Sequence, residues 1–256
     1  MKNYFKSDGK DALRATLSQP TLIGFDFDGT LAPIVNTPDV AVTPTPIARR
    51  LTALARLCPV AIISGRSIKD VRGRLGFMPK FVVGNHGAEG LPGHYDSIED
   101  KCMDALRERI FSHAAEMAVL GICIEDKGLS FSLHYRGSRT ELPALRFIEA
   151  LLAPFRNDLA IFGGKYVVNV ATAGAPDKFA ALQALLEESG MAGAVFIGDD
   201  VTDETVFAGA PSTWLTIRVG GKVPDSRAMY FVDSQSQVVN LIQDMLDLLT
   251  AYGHRG

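Results

Sequence analysis

Two short apolar runs, far apart in the chain, each stop abruptly at carboxylates. Leu22-Ile23-Gly24-Phe25 runs into Asp26-Phe27-Asp28-Gly29-Thr30-Leu31, and Ala194-Val195-Phe196-Ile197 runs into Gly198-Asp199-Asp200-Val201-Thr202-Asp203-Glu204. Apolar runs this short, without polar alternation, read as strands buried on both faces, the kind found inside a parallel sheet. Their carboxyl ends are where open α/β sheets place ligands. Val60-Ala61-Ile62-Ile63 and Phe81-Val82-Val83 read the same way and end in Ser64-Gly65-Arg66 and Gly84-Asn85-His86-Gly87. Right-handed crossovers between such strands put all these tips on one edge.

The segments between are helical in period. Ile47, Leu51, Leu54 and Cys58 follow a Pro-rich loop (Pro33, Pro38, Pro44, Pro46), with Thr45 to cap and Pro46 in the first turn; Ser67 and Asp70 form a capping box for the next helix. Near Leu91-Pro92-Gly93 the texture changes. One long helix is expected, with Met103, Leu106, Ile110, Ala114 and Met117 inward, then strands at 121–126 and 129–136. In the second strand Leu129, Phe131, Leu133 and Tyr135 point to a buried face, and Ser130, Ser132, His134 and Arg136 to an open one. A helix with Leu142, Leu145 and Leu152 inward leads to a hairpin of 159–162 and 165–170 turning at Gly163-Gly164. The parallel pattern resumes with a helix over 177–189, stopped by Gly190, then strands near 194–197, 214–219 and 229–233 and a final helix striped by Val238, Leu241, Ile242, Met245 and Leu249. The expected architecture is α/β: a doubly wound parallel-sheet core of residues 1–91 and 173–256, interrupted by an α+β domain at 92–172.

A 256-residue chain can bury a full core unaided, and a net charge of −3 gives no general attraction to nucleic acid or anionic lipid. Cys58, Cys102 and Cys123 are widely spaced among apolar neighbours and read as reduced core thiols. The charged N-terminus carries no export signal, and no apolar run approaches the ~20 residues of a membrane span. A soluble, cytoplasmic, monomeric protein is expected.

The acidic tips gather Asp26, Asp28, Asp199, Asp200 and Asp203, with a hydroxyl at Ser64 and an amine at Lys178. Like charges so close are costly to bury unless a cation compensates them. Oxygen-only ligands suit a hard ion, and carboxylates with open positions suit Mg²⁺, which keeps waters and accepts phosphate oxygens. A carboxylate beside Mg²⁺ can attack a phosphoryl group, and a second carboxylate can serve as general acid and base. Either acidic motif alone reads as a loop or a cap; their joint occurrence after two buried strands reads as a site.

Asp26-Phe27-Asp28-Gly29-Thr30-Leu31, Ser64-Gly65-Arg66, Lys178 and Gly198-Asp199-Asp200-Val201-Thr202-Asp203-Glu204, in this order, resemble the four motifs of the haloacid dehalogenase superfamily of phosphatases. The insertion resembles a type C2 cap. Gly84-Asn85-His86-Gly87, Glu125-Asp126-Lys127-Gly128 and His134-Tyr135-Arg136 resemble the trehalose-6-phosphate phosphatases in particular. The resemblance implies a Mg²⁺-dependent enzyme acting on a small-molecule sugar phosphate, trehalose 6-phosphate, with no nucleic-acid or membrane partner. It implies Asp26 as nucleophile, Asp28 as acid and base, and Ser64 and Lys178 as the phosphoryl clamp. Mg²⁺ would be held by Asp26, the Asp28 carbonyl and Asp199, with Asp200 and Asp203 as outer or alternative ligands. Thr30, Gly65, Arg66 and His86 are expected beside the substrate, and Glu125, Lys127, His134, Arg136, Lys165 and Asn169 are expected to grip the sugar. The chain departs from the family at Asn169, where Glu is usual, at Thr172 in place of Pro, and at Phe179 in place of Gly.

Three other readings compete. A phosphatase for another sugar phosphate is separated by a substrate panel. A phospho-acceptor signalling domain needs an acceptor Asp at the third strand tip, where this chain has Gly84-Asn85. A silent sugar-binding protein has no use for all four motifs.

Overall fold

The computed structural model describes residues 1–35, 40–91, 101–164 and 166–253. Pro38, the Pro92-Gly93 junction and Lys165 therefore lie outside the described residues. Two compact units emerge, one of Met1–His94 with Pro176–Gly256 and one of Tyr95–Ala175.

The elements of the first unit are β1 (Lys2–Asn3), α1 (Gly9–Thr16), β2 (Thr21–Phe25), α2 (Thr45–Leu54), β3 (Val60–Ile63), α3 (Ile68–Arg72) and β4 (Phe81–Val83). Those of the second are α4 (Lys101–Ser112), α5 (Ala114–Val119), β5 (Cys123–Asp126), β6 (Ser130–His134), α6 (Glu141–Leu152), β7 (Leu159–Gly164) and β8 (Val167–Thr172). The first unit then resumes with α7 (Lys178–Ser189), β9 (Gly193–Gly198), α8 (Glu204–Gly209), β10 (Leu215–Val219), β11 (Tyr230–Val232) and α9 (Val238–Gly253).

The first unit is a seven-stranded sheet in the order β1-β11-β10-β9-β2-β3-β4, with every pairing parallel. Because successive side chains of a strand point to opposite faces, Ile23 and Phe25 enter the apolar layer shared with α1, α2, α3 and α9, while Leu22 enters the one shared with α7 and α8. Full burial of a side chain such as Phe25 contributes roughly 1.5–3 kcal/mol. The chain runs β2, β3, β4 to one side, then returns at β9 on the other side of β2. The order thus reverses between β2 and β9, the point where open sheets form a crevice.

The second unit packs α4, α5 and α6 on an antiparallel sheet of order β5-β6-β8-β7, around Leu106, Ile110, Phe131, Leu133, Ile148 and Val170. The long helix is two, broken at His113 (φ −106°, ψ 14°). Ala144, Ile148, Leu151 and Leu152 form the buried face of α6, while Leu142 is exposed. Gly163 and Gly164 belong to β7, opposite Val168 and Val167, so the hairpin does not turn at them, and Tyr166 beyond them stands at φ +62°. Ser130 and Ser132, expected on an open face, are buried. Cys123, expected among core thiols, is exposed. Among the described residues no helix is long and apolar enough to cross a membrane.

Candidate active site

Neighbouring strands bring the two acidic tips together. Phe25 stands opposite Ile197, and the Asp26 amide extends the ladder by donating to the Ile197 carbonyl at 2.9 Å. Beyond Asp26 the chain turns sharply, with Leu31 and Ala32 amides both donating to the Phe27 carbonyl at 2.9 Å. That turn needs a positive φ at Gly29 (+79°), and a Cβ there would collide with the Asp199 carboxylate. Thr30, fully buried, donates its hydroxyl to Asp199 Oδ1 at 3.0 Å.

Lys178 enters from the first turn of α7, which Asp177 caps by accepting from the Ala180 amide at 2.8 Å. Its buried ammonium lies 2.7 Å from Asp203 Oδ1 and 2.9 Å from Asp26 Oδ1. Asp203 is held from its other side, where Oδ2 accepts from the Asp200 amide at 2.9 Å. Asp26, Asp199 and Asp203 each offer an oxygen within 4.8 Å of the others; the side chains of Asp28 and Asp200 stand outside that group.

Three carboxylates against one ammonium leave an excess of negative charge. Burial pushes the Asp26 carboxyl well above its usual range, with Lys178 opposing and Asp203 and Asp199 reinforcing the rise. Burial and the neighbouring Asp203 push Asp199 up to about 7, against the Thr30 hydrogen bond. Burial works against the Lys178 ammonium, but Asp203 and Asp26 outweigh it and keep it protonated. A close, all-oxygen, over-acidic cluster fits a hard divalent cation, which would relieve the strain that protons otherwise relieve.

The tips of β3 and β4 complete this edge. Ser64 is buried, and its Oγ accepts from the Arg66 amide at 3.1 Å. Asn85 (φ +50°) and His86 (φ +59°) adopt left-handed backbone, so that their amides reach the carbonyls of Arg66 and Ser64, each at 2.9 Å. The His86 ring lies over Gly65, where any Cβ would strike it. Arg66 forks onto Asp28, with Nε donating to Oδ2 at 2.7 Å and Nη2 to Oδ1 at 2.8 Å.

The second unit has a polar network of its own on β5, β6 and β8. His134 Nε2 and Lys127 Nζ both face Glu125 Oε2, at 3.0 and 3.6 Å. Lys127 Nζ also donates to Ser132 Oγ at 2.8 Å, and Ser132 donates to Asn169 Oδ1 at 2.7 Å. Arg136 is exposed, with its guanidinium 5.8 Å from the Tyr166 ring centre.

A family model described as trehalose-phosphatase matches residues 24–219. The chain belongs to the trehalose-phosphatase family. Among curated members, a probable trehalose-phosphate phosphatase of Sinorhizobium fredii is 32% identical over 227 residues, covering 85% of this chain and 84% of that one. The trehalose-phosphate phosphatase of Mycolicibacterium paratuberculosis is 30% identical over 242 residues, 88% of this chain. This chain spans 62% of that relative's length, less than two thirds. In fold it is similar to the C-terminal domain of a trehalose-6-phosphate phosphatase from C. albicans, with TM-score 0.77, 20% identity, and coverage of 92% of this chain and 95% of that one.

Within this family member the first unit gathers Asp26, Asp28, Thr30, Ser64, Gly65, Arg66, His86, Lys178, Asp199, Asp200 and Asp203 at one sheet edge. The second gathers Glu125, Lys127, His134 and Asn169 on one sheet face. Ser132, which links Lys127 to Asn169, and Asp70 and Arg74, which stand behind Arg66, are not among the expected site residues. The spacing of Arg66, Asp70 and Arg74 at intervals of four was the available signal for the latter pair.

Proposed function

We propose that this chain is a phosphatase that hydrolyses trehalose 6-phosphate to trehalose and phosphate, using Mg²⁺ and a phospho-aspartyl intermediate on Asp26. One observation carries the reading: the buried Asp26 carboxylate shares Lys178 with Asp203 at the β2/β9 switch point, beside Asp199. In the first step an Asp26 oxygen bonds to phosphorus while the bond from phosphorus to the sugar oxygen breaks, and Asp28 passes that oxygen a proton. In the second, Asp28 takes a proton from water as the water oxygen bonds to phosphorus and the Asp26 ester breaks, releasing phosphate. Lys178, the Ser64 hydroxyl and the Gly65 amide serve the phosphoryl oxygens. Asp26, Asp199, Asp203 and the Asp28 carbonyl would hold the cation, with Asp200 beside them; when bound it supplies neutralisation of phosphoryl charge.

The second unit serves as the sugar-specificity (cap) domain, gripping hydroxyls through Glu125, Lys127, His134, Arg136 and Asn169, and Lys165 joins them in this reading. A neutral disaccharide offers hydroxyls, so these side chains act by hydrogen bonding and not ion pairing. Three widely spaced cysteines suit a reducing cytoplasm.

Phosphate release on a panel of trehalose, sucrose, glucose and mannose 6-phosphates tests the substrate. A clear preference for trehalose 6-phosphate supports the reading; comparable rates on all, or preference for another sugar, replaces it with the broader sugar-phosphate phosphatase. Asp26→Asn abolishes turnover while leaving the fold, and surviving activity would overturn the nucleophile.

A further inference from the structure

The Asp28 carboxylate stands at the end of a chain of charges that leads away from the reaction. Arg66 spends one edge of its guanidinium on Asp28 and donates from the other, through Nη1, to Asp70 Oδ2 at 2.7 Å. Asp70 Oδ1 in turn accepts from Arg74 Nε and Nη2 at 2.8 and 2.6 Å. Asp70 thus divides its two oxygens between two arginines and cannot turn without breaking one pair. Partial burial works against the Asp70 carboxylate, but the hydrogen bonds from Arg74 and Arg66 outweigh it and hold it below its usual range. The Arg66 side chain is only 7% exposed and lies 5.5 Å from the centre of the Phe27 ring, while Asp28 is 43% exposed. Solvent does not hold Asp28 in one orientation; the fork does. A planar guanidinium fixes a carboxylate in both position and plane, and its own aim is set by whatever occupies its far edge.

We infer that Asp70, clamped by Arg74, is a positioning residue that aims Asp28 through Arg66. The inference rests on the role proposed above for Asp28, since aim matters only if that carboxylate exchanges protons with the sugar oxygen and the attacking water. Asp70 itself touches neither. Its role differs from a helix-stabilising pair in one respect: its loss would fall on the steps that need Asp28 and spare a step that does not.

An aryl ester separates these steps. 4-Nitrophenolate leaves phosphorus without being protonated, so phosphorylation of Asp26 by 4-nitrophenyl phosphate does not need Asp28, whereas the water step still does. In Asp70→Asn, kcat on the sugar phosphate is expected to fall about ten- to hundredfold with KM changed less than about twofold. With 4-nitrophenyl phosphate the same variant should release a rapid burst of nitrophenolate, larger than the parent's, before slow turnover. Asp70→Glu, which can still pair with both arginines, should recover part of the loss. Equal falls on both substrates with no added burst, or an unchanged kcat, overturn the inference. Thermal unfolding reports whether Asp70→Asn folds; if it does not, Arg74→Gln, which leaves Asp70 but removes its clamp, is read by the same criteria. A parent that hydrolyses another alkyl phosphate and not trehalose 6-phosphate sinks the substrate assignment alone, and Asp70 is then measured on that ester. A parent without phosphatase activity overturns both.

Discussion

Lys178 Nζ donates to Asp203 Oδ1 at 2.7 Å, and neither side chain has appreciable contact with solvent. Removing one member of a buried pair leaves the other charge without compensation, which costs about 3–5 kcal/mol. Asp203→Ala should therefore lower the denaturant midpoint by an amount equivalent to about 3 kcal/mol, at the lower end because Lys178 keeps Asp26. Turnover should fall too, since Lys178 loses one of the two anchors that aim it. A variant of unchanged midpoint would show that the pair is not a structural centre.

Gly29 and Gly128 have almost the same backbone, φ +79° and +82°, in different surroundings. A Cβ on Gly29 meets the Asp199 carboxylate, whereas one on Gly128 meets nothing within 4 Å. Gly128→Ala should cost only the backbone penalty, about 1–2 kcal/mol. Gly29→Ala adds a clash with a cluster carboxylate and should cost ~2 kcal/mol more, with weakened divalent-cation binding by equilibrium dialysis. Equal losses in the two variants would remove the claim that Gly29 makes room for Asp199.

Much of the first unit is legible in sequence because a strand buried on both faces is a local, unbroken apolar signal, and its acidic ends mark the tips directly. What brings Asp26 beside Asp199 is not local. It follows from the return of the chain at β9 on the far side of β2, a pairing that topology decides. β1 escaped because Lys2–Asn3 is too short and polar to read as a strand and is held by β11. The second unit was harder. A break at His113 carries no Pro or Gly, and a Gly-Gly pair that reads as a turn lies within β7, with Tyr166 beyond it at an unusual positive φ. In α6 the small residue Ala144 faces inward and Leu142 faces out, so leucines alone misplace one end of the stripe while Leu152 is buried as expected. Ser132 looked like a solvent-facing residue; its burial becomes intelligible only once Lys127 and Asn169 are seen on either side of it.

The acidic cluster ties cation binding to pH. Asp199 is raised from 3.8 to about 7, so between those values the metal-free fold binds more protons than the unfolded chain. Its contribution to metal-free stability is then present at the acid end of that window and is lost as pH rises toward 7. Cation binding must displace the same proton, so its stabilising effect runs the other way. The rise in thermal midpoint on exchanging EDTA for MgCl₂ should be small at mildly acid pH and grow through neutrality. An increment independent of pH would place the cation away from Asp199.

An ammonium has donors only, so Ser132 Oγ accepts from Lys127 and must direct its own proton to Asn169, which fixes the amide with Oδ1 toward Ser132. Nδ2 is then left to meet an acceptor, and a sugar hydroxyl can accept where a family Glu would have required it to donate. Asn169→Ala removes that donor and should raise KM for the sugar phosphate about tenfold, the equivalent of one hydrogen bond, while kcat/KM for 4-nitrophenyl phosphate stays within about twofold. Asn169→Asp keeps the acceptor for Ser132 but has no N–H to offer, so its KM should rise as well, despite the nearby Lys127. Tighter binding by Asn169→Asp would mean that the sugar donates at this position, and that the amide is not the direction-setting group.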